Sequence, residues 1–502
     1  MSRICLCLTG KTLARNLEFL DKYRKYTDLA ELRVDCLDPD ERFSIRRFPE
    51  MAGVPVILTI RRGIDGGRFS GGEGARVTLL SQGLAFADAD RRRNFAYVDL
   101  EEDLNVPSLE EAARTFGTRI IRSCHNFEGT CSDIPAKLSE LRRVGDEIAK
   151  LALMPRTSAE LPGVYQAARE TCGMDKILLC MGRLGTNTRI LASLLGSYLS
   201  YAGIKDEADA ECGAPGQLDP QELEELYRFH RIGEGTRIFG ISGYPLSVTA
   251  SPAFFNPLFT QNNIDAVYVP FPSDSLLSFL RLAEEIKLEG ASVTIPYKEE
   301  IVPLLVSKSR QVDHIGACNT ILRTPSGWTG YNTDARGFSD SLLRFLDRKN
   351  LFGRRLTILG AGGAARAVAA EVHRLKGQAL IVNRTVFRAR DLARQYGFVW
   401  GGLDNQGIAM MERYSHVIIN TTSAGMEPDV DADPGALYNF TGREAVMDLI
   451  YKPERTRFLI RAAQAGCQII NGYDMLIQQA KYQYNLFMGH DLDSEIIAKL
   501  GL

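Results

Sequence analysis

Short apolar or β-branched runs alternate with longer helix-forming stretches over the first 215 or so residues, and no other feature constrains the fold as strongly. Repeated strand and helix units require a parallel sheet covered by helices, and eight units in roughly 200 to 250 residues fit a closed barrel. An eighth, weaker run is expected near residues 209–212. The other seven runs are RICLCL, LAELRVD, VPVILTI, FAYVDLE, TRIIRSCH, EIAKLALM and DKILLCMG. The sequence therefore predicts an α/β protein that begins with a (β/α)8, or TIM, barrel.

The chain has 502 residues, which exceeds the roughly 250 to 300 that one hydrophobic core accommodates. A polar segment, LDPQELEELYRFHRIGEGT, separates the barrel region from a new strand at Arg237, so we place a boundary near residue 230. A second restart follows at Arg354, where a nucleotide-binding pattern begins. The predicted domains are a barrel at 1–225, an α/β substrate domain at 236–340 with 480–502, and a Rossmann domain at 341–479.

The composition favours a small-molecule ligand over a polymer or a membrane. Charged residues make up 24% of the chain and the net charge is -2, without the basic excess that nucleic-acid binding requires. No apolar stretch reaches the roughly 18 residues of a membrane span, and no leader pattern precedes Arg3. We therefore expect a cytoplasmic protein with neither nucleic-acid nor membrane partners; an oligomer is possible.

The cysteines give no sign of a metal site. Ten are scattered singly or within apolar runs, without paired CxxC spacing. This pattern favours buried thiols in a reducing compartment over a zinc site or a disulfide framework. We expect no metal.

A glycine-rich turn lies between a buried-strand pattern, LTILG, and a helix-forming stretch, AARAVAAEVHRL. Strand, turn and helix in this order let backbone N–H groups and a helix N-terminus bind a pyrophosphate. The alternative is a tight turn without a ligand, but both flanking elements are present. The predicted contacts are Gly360, Ala361, Gly362, Gly363 and Ala364.

The end of the next strand, QALIVNRT, indicates which dinucleotide binds. An NAD site would place an acidic residue there, whereas this strand ends in Asn383, Arg384 and Thr385. Arg384, with Arg388 one helical turn further on, offers guanidinium groups to a 2′-phosphate. The predicted cofactor is NADP; the alternative is that Arg384 is a solvated surface charge.

Three polar residues stand at the ends of predicted barrel strands, the face that carries active sites in barrels. Lys150 lies in an alternating apolar stretch, and desolvation there would favour a neutral amine able to form a Schiff base with a ketone. His125 could transfer the neighbouring proton, and Glu101 could orient His125. Taken singly, each has a structural alternative: a snorkelling lysine, a core histidine and an acidic surface run.

These residues lie in segments that resemble type I 3-dehydroquinate dehydratases, in the family's order: ELRVD, LTIRRGIDGGRFSGGE, YVDLE, RSCHNF, AKLALMP, MGRLGTNTR and APGQ. The resemblance implies Lys150 as the Schiff-base residue and His125 as general acid and base. It also implies substrate-binding roles for Glu31, Arg33, Arg61, Arg189 and Gln217. Gly213 and Cys7 stand where members of the family commonly have serine.

The second half resembles shikimate dehydrogenase through GYPLSVTASPAFFN, GASVTIPYKEE, IGACNTI, GYNTDARGF, INTTSAGM, MDLIYKPERT and NGYDMLIQQA. The resemblance implies Lys298 and Asp334 as catalytic residues; alone, each could be a surface charge at a strand end. It implies further cofactor contacts at Asn420, Thr421 and Gly472. Implied substrate contacts are Thr249, Ser251, Thr294, Asn319, Tyr451 and Gln479. Val248, Phe255 and Ser292 depart from the family's usual residues.

Together the two resemblances imply a fusion of two enzymes. The first dehydrates 3-dehydroquinate to 3-dehydroshikimate, and the second reduces 3-dehydroshikimate to shikimate with NADPH. One alternative is a non-catalytic sensor of these intermediates. Another is a quinate or shikimate dehydrogenase specificity in the second half.

Overall fold

The computed structural model describes residues 2–85, 88–204, 214–246 and 249–492. The chain divides into two compact units, Met1–Leu288 and Glu289–Leu502. The predicted domain limits remain predictions; the one at 479/480 falls within a continuous helix, Tyr473–Met488. No helix in the described ranges combines the length and apolar character needed to cross a bilayer.

Eight parallel strands form the barrel of the first unit. They follow one another in the order β7-β6-β5-β4-β3-β2-β1-β8, and a bridge between Lys176 and Ser197 brings the two ends of the sheet together. The strands are β1 Arg3–Leu8, β2 Leu29–Arg33, β3 Val56–Thr59, β4 Tyr97–Glu101, β5 Arg119–Asn126, β6 Ile148–Leu153, β7 Lys176–Cys180 and β8 Leu199–Ala202. The predicted barrel is therefore confirmed.

The eighth strand comes from an apolar stretch that the sequence pattern did not single out, Leu199–Ala202. Residues 209–212, where that strand was expected, lie outside the described part of the chain. The run SLLGSYLSYAG around β8 resembles the end of a helix in its hydrophobicity, and pairing with β1 makes it a strand.

Helices cover the barrel, and an additional α/β segment completes the first unit. Strands β9, Arg237–Ser242, and β10, Ala266–Pro270, pair in parallel there. The helices of the unit are α1 Leu13–Tyr23, α2 Phe48–Ala52, α3 Glu73–Leu84, α4 Pro107–Thr115, α5 Ile134–Leu141, α6 Leu161–Glu170, α7 Thr186–Ile190, α8 Ser251–Gln261 and α9 Leu276–Glu285.

The two-residue period of the barrel strands sorts their side chains into two sets. Outward side chains, such as Ala30, Leu58 and Val98, pack in the cluster under the helices. Inward side chains, such as Ile121, Ile148 and Ile177, form a separate interior cluster. Polar residues two or four positions further along the same strands therefore project into the barrel.

The second unit contains a mixed set of strands and a parallel Rossmann-type sheet. In the mixed set, β13 Thr320–Thr324 is antiparallel to β11 Gly290–Val293 and to β14 Gly327–Tyr331, and β12 Ser307–Lys308 pairs with β14. The parallel sheet has the order β17-β16-β15-β18-β19-β20. Its strands are β15 Arg355–Leu359, β16 Gln378–Val382, β17 Val399–Gly401, β18 Val417–Asn420, β19 Ala445–Asp448 and β20 Gln468–Ile470.

Both faces of the parallel sheet are covered, as the continuous apolar strands require. Ile358, Ile381 and Met447 belong to one core cluster, whereas Leu359 and Leu380 belong to another. The helices of this unit are α10 Tyr297–Glu300, α11 Arg310–Ile315, α12 Asp334–Phe345, α13 Gly363–Arg374, α14 Val386–Tyr396, α15 Asn405–Met411, α16 Arg457–Gln464 and α17 Tyr473–Met488.

Candidate active sites

Lys150 projects into the barrel from β6, on the same face as Ile148 and Ala152 of the interior cluster. Its side chain is 4% exposed. The Nζ atom donates to Asp99 Oδ2 at 2.7 Å and lies 4.4 Å from the centre of the Tyr201 ring. The environment is therefore not the purely apolar one that the strand pattern suggested, because a carboxylate holds the amine in place.

His125 lines the same cavity from the end of β5, and its Nδ1 atom is buried without a hydrogen-bond partner. Burial lowers the pKa of the imidazole well below its ordinary value, and the nearby Arg61 and Lys150 cations lower it further. The ring is consequently neutral at physiological pH. A neutral imidazole with a free nitrogen can accept a proton from a bound molecule.

A cavity of ≈ 620 Å³, including its open mouth, gathers most of the predicted barrel residues. It lies at the carboxyl ends of the strands, where the inward-facing residues come after those of the interior cluster along each strand. The predicted residues that line it are Glu31, Arg33, Arg61, His125, Lys150, Arg189 and Gln217. Seven side chains from distant parts of the sequence thus share one site.

Arg189 is the clearest anion-binding group in the cavity. It is 1% exposed, its Nε and Nη1 atoms have no hydrogen-bond partner, and Nη2 donates to the Pro215 carbonyl at 3.3 Å. Burial lowers its pKa to about 10, so the guanidinium remains charged at neutral pH. Unpaired donors on a buried cation are costly unless a ligand satisfies them, and a carboxylate would do so.

The other predicted binding groups are held by short contacts. Glu31 accepts from the Thr59 hydroxyl at 2.9 Å, and Arg33 forms two bonds with Asp35 at 2.9 and 2.8 Å. Gln217 donates to the Cys7 sulfur at 3.2 Å and leaves its buried Oε1 atom unpaired. Burial raises the pKa of Cys7, so it is a thiol that also reaches Glu31. Gly213 lies outside the described residues.

Glu101 differs from the expectation that it orients His125. Its carboxylate accepts from Arg61 Nη1 at 2.8 Å and from Arg76, and it does not line the cavity. The two arginines occupy its two oxygens, so the cavity residue that Glu101 contacts is Arg61 and not His125. The strand pattern correctly placed Glu101 on the inward face of β4 but could not identify its hydrogen-bond partners.

The sequence reasoning missed several cavity residues. Asp65, Phe127 and Tyr201 line the site, and Asp99 pairs with Lys150 beneath it. The available signal for Asp99 was its position two residues before Glu101, on the same face of β4. Asp65 lies in the glycine-rich segment after Arg61, where no periodic pattern marks a side chain.

In the second unit, the side chains of Lys298 and Asp334 meet. Lys298 Nζ donates to Asp334 Oδ2 at 2.6 Å, and Asn319 Nδ2 donates to Asp334 Oδ1 at 2.8 Å. Asp334 is the first residue of α12, while Lys298 lies in the short helix after β11. Gln479 of α17 accepts from Asn319 at 3.4 Å. A cation, a carboxylate and two amides thus form one polar cluster.

The remaining predicted substrate contacts are placed as follows. Thr294 is half-buried directly after β11, and Tyr451 is half-buried after β19. Thr249 and Ser251 belong to the first unit, where their hydroxyls lie 3.2 Å apart. Val248 lies outside the described residues. Phe255 is fully buried against Tyr268, so it has a core role there.

The glycine-rich turn follows β15 and leads into α13, as predicted. Gly360 has a φ of +113°, and a Cβ there would lie 2.5 Å from Thr421 Oγ1. A Cβ on Gly362 would meet no atom within 4 Å, so its backbone is accessible. A Cβ on Gly363 would lie 3.0 Å from the Cβ of Lys298, so the glycine packs closely against this lysine. The turn fits a pyrophosphate and lies beside the Lys298 and Asp334 cluster.

The end of β16 presents the two predicted cations to solvent. Arg384 and Arg388 are both exposed, and neither forms an ion pair with another described residue. Asn383 donates to the Thr385 carbonyl at 3.0 Å, which shapes the turn into α14. Two uncommitted guanidinium groups suit a phosphate better than a ribose hydroxyl.

Asn420, Thr421 and Gly472 lie around the same sheet edge. Thr421 donates to the Leu359 carbonyl at 2.6 Å, which joins the ends of β18 and β15. Asn420 donates to Asp448 at 3.0 Å. A Cβ on Gly472 would lie 2.0 Å from the Leu449 carbonyl oxygen, so the position requires glycine whether or not a cofactor binds.

Two families match successive parts of the chain. The type I 3-dehydroquinase family matches residues 4–234, and the shikimate dehydrogenase substrate-binding domain matches residues 241–321. The shikimate dehydrogenase (NADP(+)) of Pyrococcus abyssi is 35% identical over 267 residues, which is 53% of this chain and 97% of the relative. A crystal structure of Thermus thermophilus shikimate 5-dehydrogenase with NADP(H) and shikimate covers 53% of this chain and 98% of its own, at 28% identity and a TM-score of 0.46.

A relative with both halves covers nearly the whole chain. The bifunctional 3-dehydroquinate dehydratase/shikimate dehydrogenase, chloroplastic, of Arabidopsis thaliana is 30% identical over 490 residues. The match includes 93% of this chain and 79% of the relative. The order of the two sites, the residues in each and this full-length similarity agree, and the chain belongs to the bifunctional 3-dehydroquinate dehydratase/shikimate dehydrogenase family.

Proposed function

We propose that the barrel dehydrates 3-dehydroquinate to 3-dehydroshikimate and that the second half reduces 3-dehydroshikimate to shikimate with NADPH. The observation that carries the proposal is the convergence of Lys150, His125 and Arg189 in one cavity. Each brings a different chemical capacity: an amine, a neutral base and an anion-binding cation with unpaired donors. The chain is thus a multifunctional lyase and oxidoreductase of aromatic amino acid biosynthesis.

In the barrel, Lys150 supplies the nucleophile. Its amine, once deprotonated, attacks the substrate ketone, and loss of water gives an iminium. The imidazole of His125 then accepts a proton from the carbon next to the iminium, whose positive charge takes up the electron pair. The same imidazolium returns the proton to the departing hydroxyl, and water hydrolyses the iminium to release the enone and Lys150.

Charge around the site orients these steps. Asp99 fixes the Lys150 amine at 2.7 Å and also pairs with Arg61 at 2.8 Å. Arg189 would hold the substrate carboxylate through its unpaired Nε and Nη1 atoms. Glu31 and Gln217, with free acceptor positions at the cavity wall, suit the ring hydroxyls.

In the second half, NADPH when bound supplies the hydride for ketone reduction. Lys298 would deliver the proton to the oxygen that becomes the alcohol, because its ammonium is the cation of the polar cluster. Asp334 holds Lys298 at 2.6 Å and is itself held by Asn319 at 2.8 Å. Gly363 beside Lys298 places the pyrophosphate turn next to this proton donor.

NADP rather than NAD is the cofactor, since the segment after β16 offers Arg384 and Arg388 instead of a carboxylate.

We also propose, from the sequence, a cytoplasmic location and domain limits at residues 225, 236, 340 and 479. The partners that we propose for both sites are the small-molecule substrates of the two reactions.

Borohydride reduction tests the barrel assignment. The protein is treated with borohydride in the presence of 3-dehydroquinate, digested, and its peptides are mapped by mass. We expect an adduct on Lys150 in the wild type and none in Lys150→Ala. An adduct on another lysine, or none, would overturn the Schiff-base assignment.

A parallel assay follows NADPH oxidation with 3-dehydroshikimate. Turnover by the wild type supports the dehydrogenase assignment and excludes a non-catalytic sensor. Comparison of quinate with shikimate, each with NADP and NAD, separates the proposed specificity from that of a quinate dehydrogenase. A higher kcat/KM with quinate would contradict the proposal.

A further inference from the structure

Glu160 joins the two loops that follow the catalytic strands of the barrel. One carboxylate oxygen, Oε1, accepts from the backbone N–H groups of Arg156 at 2.8 Å and Thr157 at 3.0 Å. The other, Oε2, accepts from the Thr130 N–H at 2.7 Å and from its hydroxyl at 2.9 Å. Four donors from two loops therefore converge on one side chain.

The two loops begin a few residues after the proposed catalytic residues. Thr130 is five residues beyond His125 on the loop after β5, and Arg156 is six residues beyond Lys150 on the loop after β6. The loops also meet where the Met154 N–H donates to the Asn126 carbonyl at 2.9 Å. Between them, Phe127 reaches the cavity. These contacts continue the pairing of β5 and β6, which carry His125 and Lys150, into the loops beyond the strands.

The turn that carries Glu160 is hydrogen-bonded to the two residues Ser273 and Asp274, which precede α9. Ser158 is 2% exposed, and both its N–H, at 3.1 Å, and its hydroxyl donate to Asp274 Oδ1. The buried Ser273 hydroxyl donates to Ser158 Oγ at 2.7 Å. A second contact involves α6, the helix that follows the Glu160 turn, whose Arg169 donates to the Glu285 carbonyl at the end of α9 at 3.2 Å. Asp274 and α9 lie within the segment that matches the shikimate dehydrogenase family.

We propose that Asp274, a residue of the dehydrogenase segment, is a positioning residue of the dehydratase. It holds Ser158, and through the same turn Glu160 sets the loops of His125 and Lys150. The inference rests on the proposed roles of those two residues. It makes the barrel dependent on the chain that follows it, so that the dehydratase works best as part of the fusion.

The test compares Asp274→Ala and Asp274→Asn in the full-length chain. Alanine removes the acceptor, whereas asparagine keeps a carbonyl oxygen in the same place. We expect alanine to lower the dehydratase kcat about 10-fold with little change in KM, since misplacing reacting groups by about 1 Å can cost on the order of 100-fold. Asparagine should restore most of the rate. Glu284→Ala removes an exposed carboxylate from α9, the helix that Asp274 precedes, and serves as the matched control.

Two further measurements separate positioning from a general loss of structure. The dehydrogenase activity of each variant should equal that of the wild type, because neither Asp274 nor Ser158 is among the predicted substrate or cofactor contacts of that enzyme. Ser158→Ala removes only the hydroxyl bond and should lower the dehydratase kcat less than Asp274→Ala, which removes both bonds. The double variant should be no worse than Asp274→Ala alone, because that variant already lacks the acceptor.

Failure of the inference is distinguishable from failure of the proposed function. A wild-type chain that lacks dehydratase activity, or forms its borohydride adduct away from Lys150, refutes the function itself. An active wild type with an unchanged kcat in Asp274→Ala overturns the positioning role. An equal loss in Asp274→Asn or in Glu284→Ala overturns it as well.

Discussion

Lys150 and Asp99 form a buried ion pair across one intervening barrel strand, with 2.7 Å between Nζ and Oδ2. Asp99 also pairs with Arg61 at 2.8 Å, so one carboxylate balances two buried cations. Burial by itself raises the pKa of Asp99, but Arg61 and Lys150 outweigh it and hold that pKa well below its usual range.

Asp99→Asn should therefore destabilise the first unit at neutral pH. Loss of one partner of a buried pair costs about 3 kcal/mol or more, which corresponds to roughly 6–12 °C in Tm. A carboxyl whose pKa is lower in the folded state stabilises the protein above its unfolded pKa of about 3.9. The difference in stability between wild type and Asp99→Asn should therefore begin to shrink below about pH 4. Thermal unfolding across pH checks this; Asp103→Asn, exposed and paired with Arg62, should cost less than about 1 kcal/mol.

The dehydratase should remain active well into the acid range. Because burial, Arg61 and Lys150 keep the pKa of His125 low, the neutral base persists below its ordinary value of about 6.5. The acid limb of kcat/KM against pH should lie below that value. His125→Asn should lower kcat by about 100- to 10,000-fold, while His490→Asn, an exposed histidine, should leave it unchanged. An acid limb above pH 6.5 would contradict the assignment.

Lys298→Met should abolish ketone reduction without affecting dehydration. Removal of the ammonium takes away the proton donor that Asp334 holds, and a loss of about 100- to 10,000-fold in the dehydrogenase kcat is expected. Rates of NADPH oxidation measure it, with the dehydratase rate of the same sample as the reference. Lys308→Met, an exposed lysine paired with Asp313, is the matched control. Equal losses in the two variants would count against a catalytic role.

Arg384→Ala should weaken NADPH selectively. The exposed guanidinium is free to pair with the 2′-phosphate, which NADH lacks, so KM should rise about 10-fold for NADPH and little for NADH. Kinetics with both cofactors provide the measurement. Arg390→Ala, which removes an arginine of the following helix α14 that is paired with Asp391, should change neither KM. An equal rise in KM for NADH would show that Arg384 does not act on the 2′-phosphate.

His230 should stabilise the first unit only at lower pH. Its ring lies between Asp28 at 2.8 Å and Glu224 at 2.7 Å, and although burial lowers the pKa, these carboxylates outweigh burial and raise it. A raised pKa gives stability that is full below about 6.5 and is lost as pH rises through the folded value. The Tm difference between wild type and His230→Gln should therefore be larger at pH 6 than at pH 9; a difference that grows with pH would refute it.

The sequence by itself determined the elements, the family and the face on which each polar residue lies. Strand periodicity is a local property, so Lys150, His125 and Glu101 could be placed on the inward face before any contact was known. Family motifs then predicted catalytic roles for a pair of residues in each half. The short run at Leu199–Ala202 escaped because a few apolar residues are compatible with either a helix or a strand.

Only the tertiary structure decided which groups meet. The pairing of Lys150 with Asp99, the engagement of Glu101 by Arg61 and Arg76, and the bonds from Ser158 to Asp274 all join residues distant in sequence. Such contacts depend on strand register and on closure of the sheet, which no local pattern encodes. The low pKa of His125 likewise results from burial and from cations on other strands, so it exists only once the barrel has assembled.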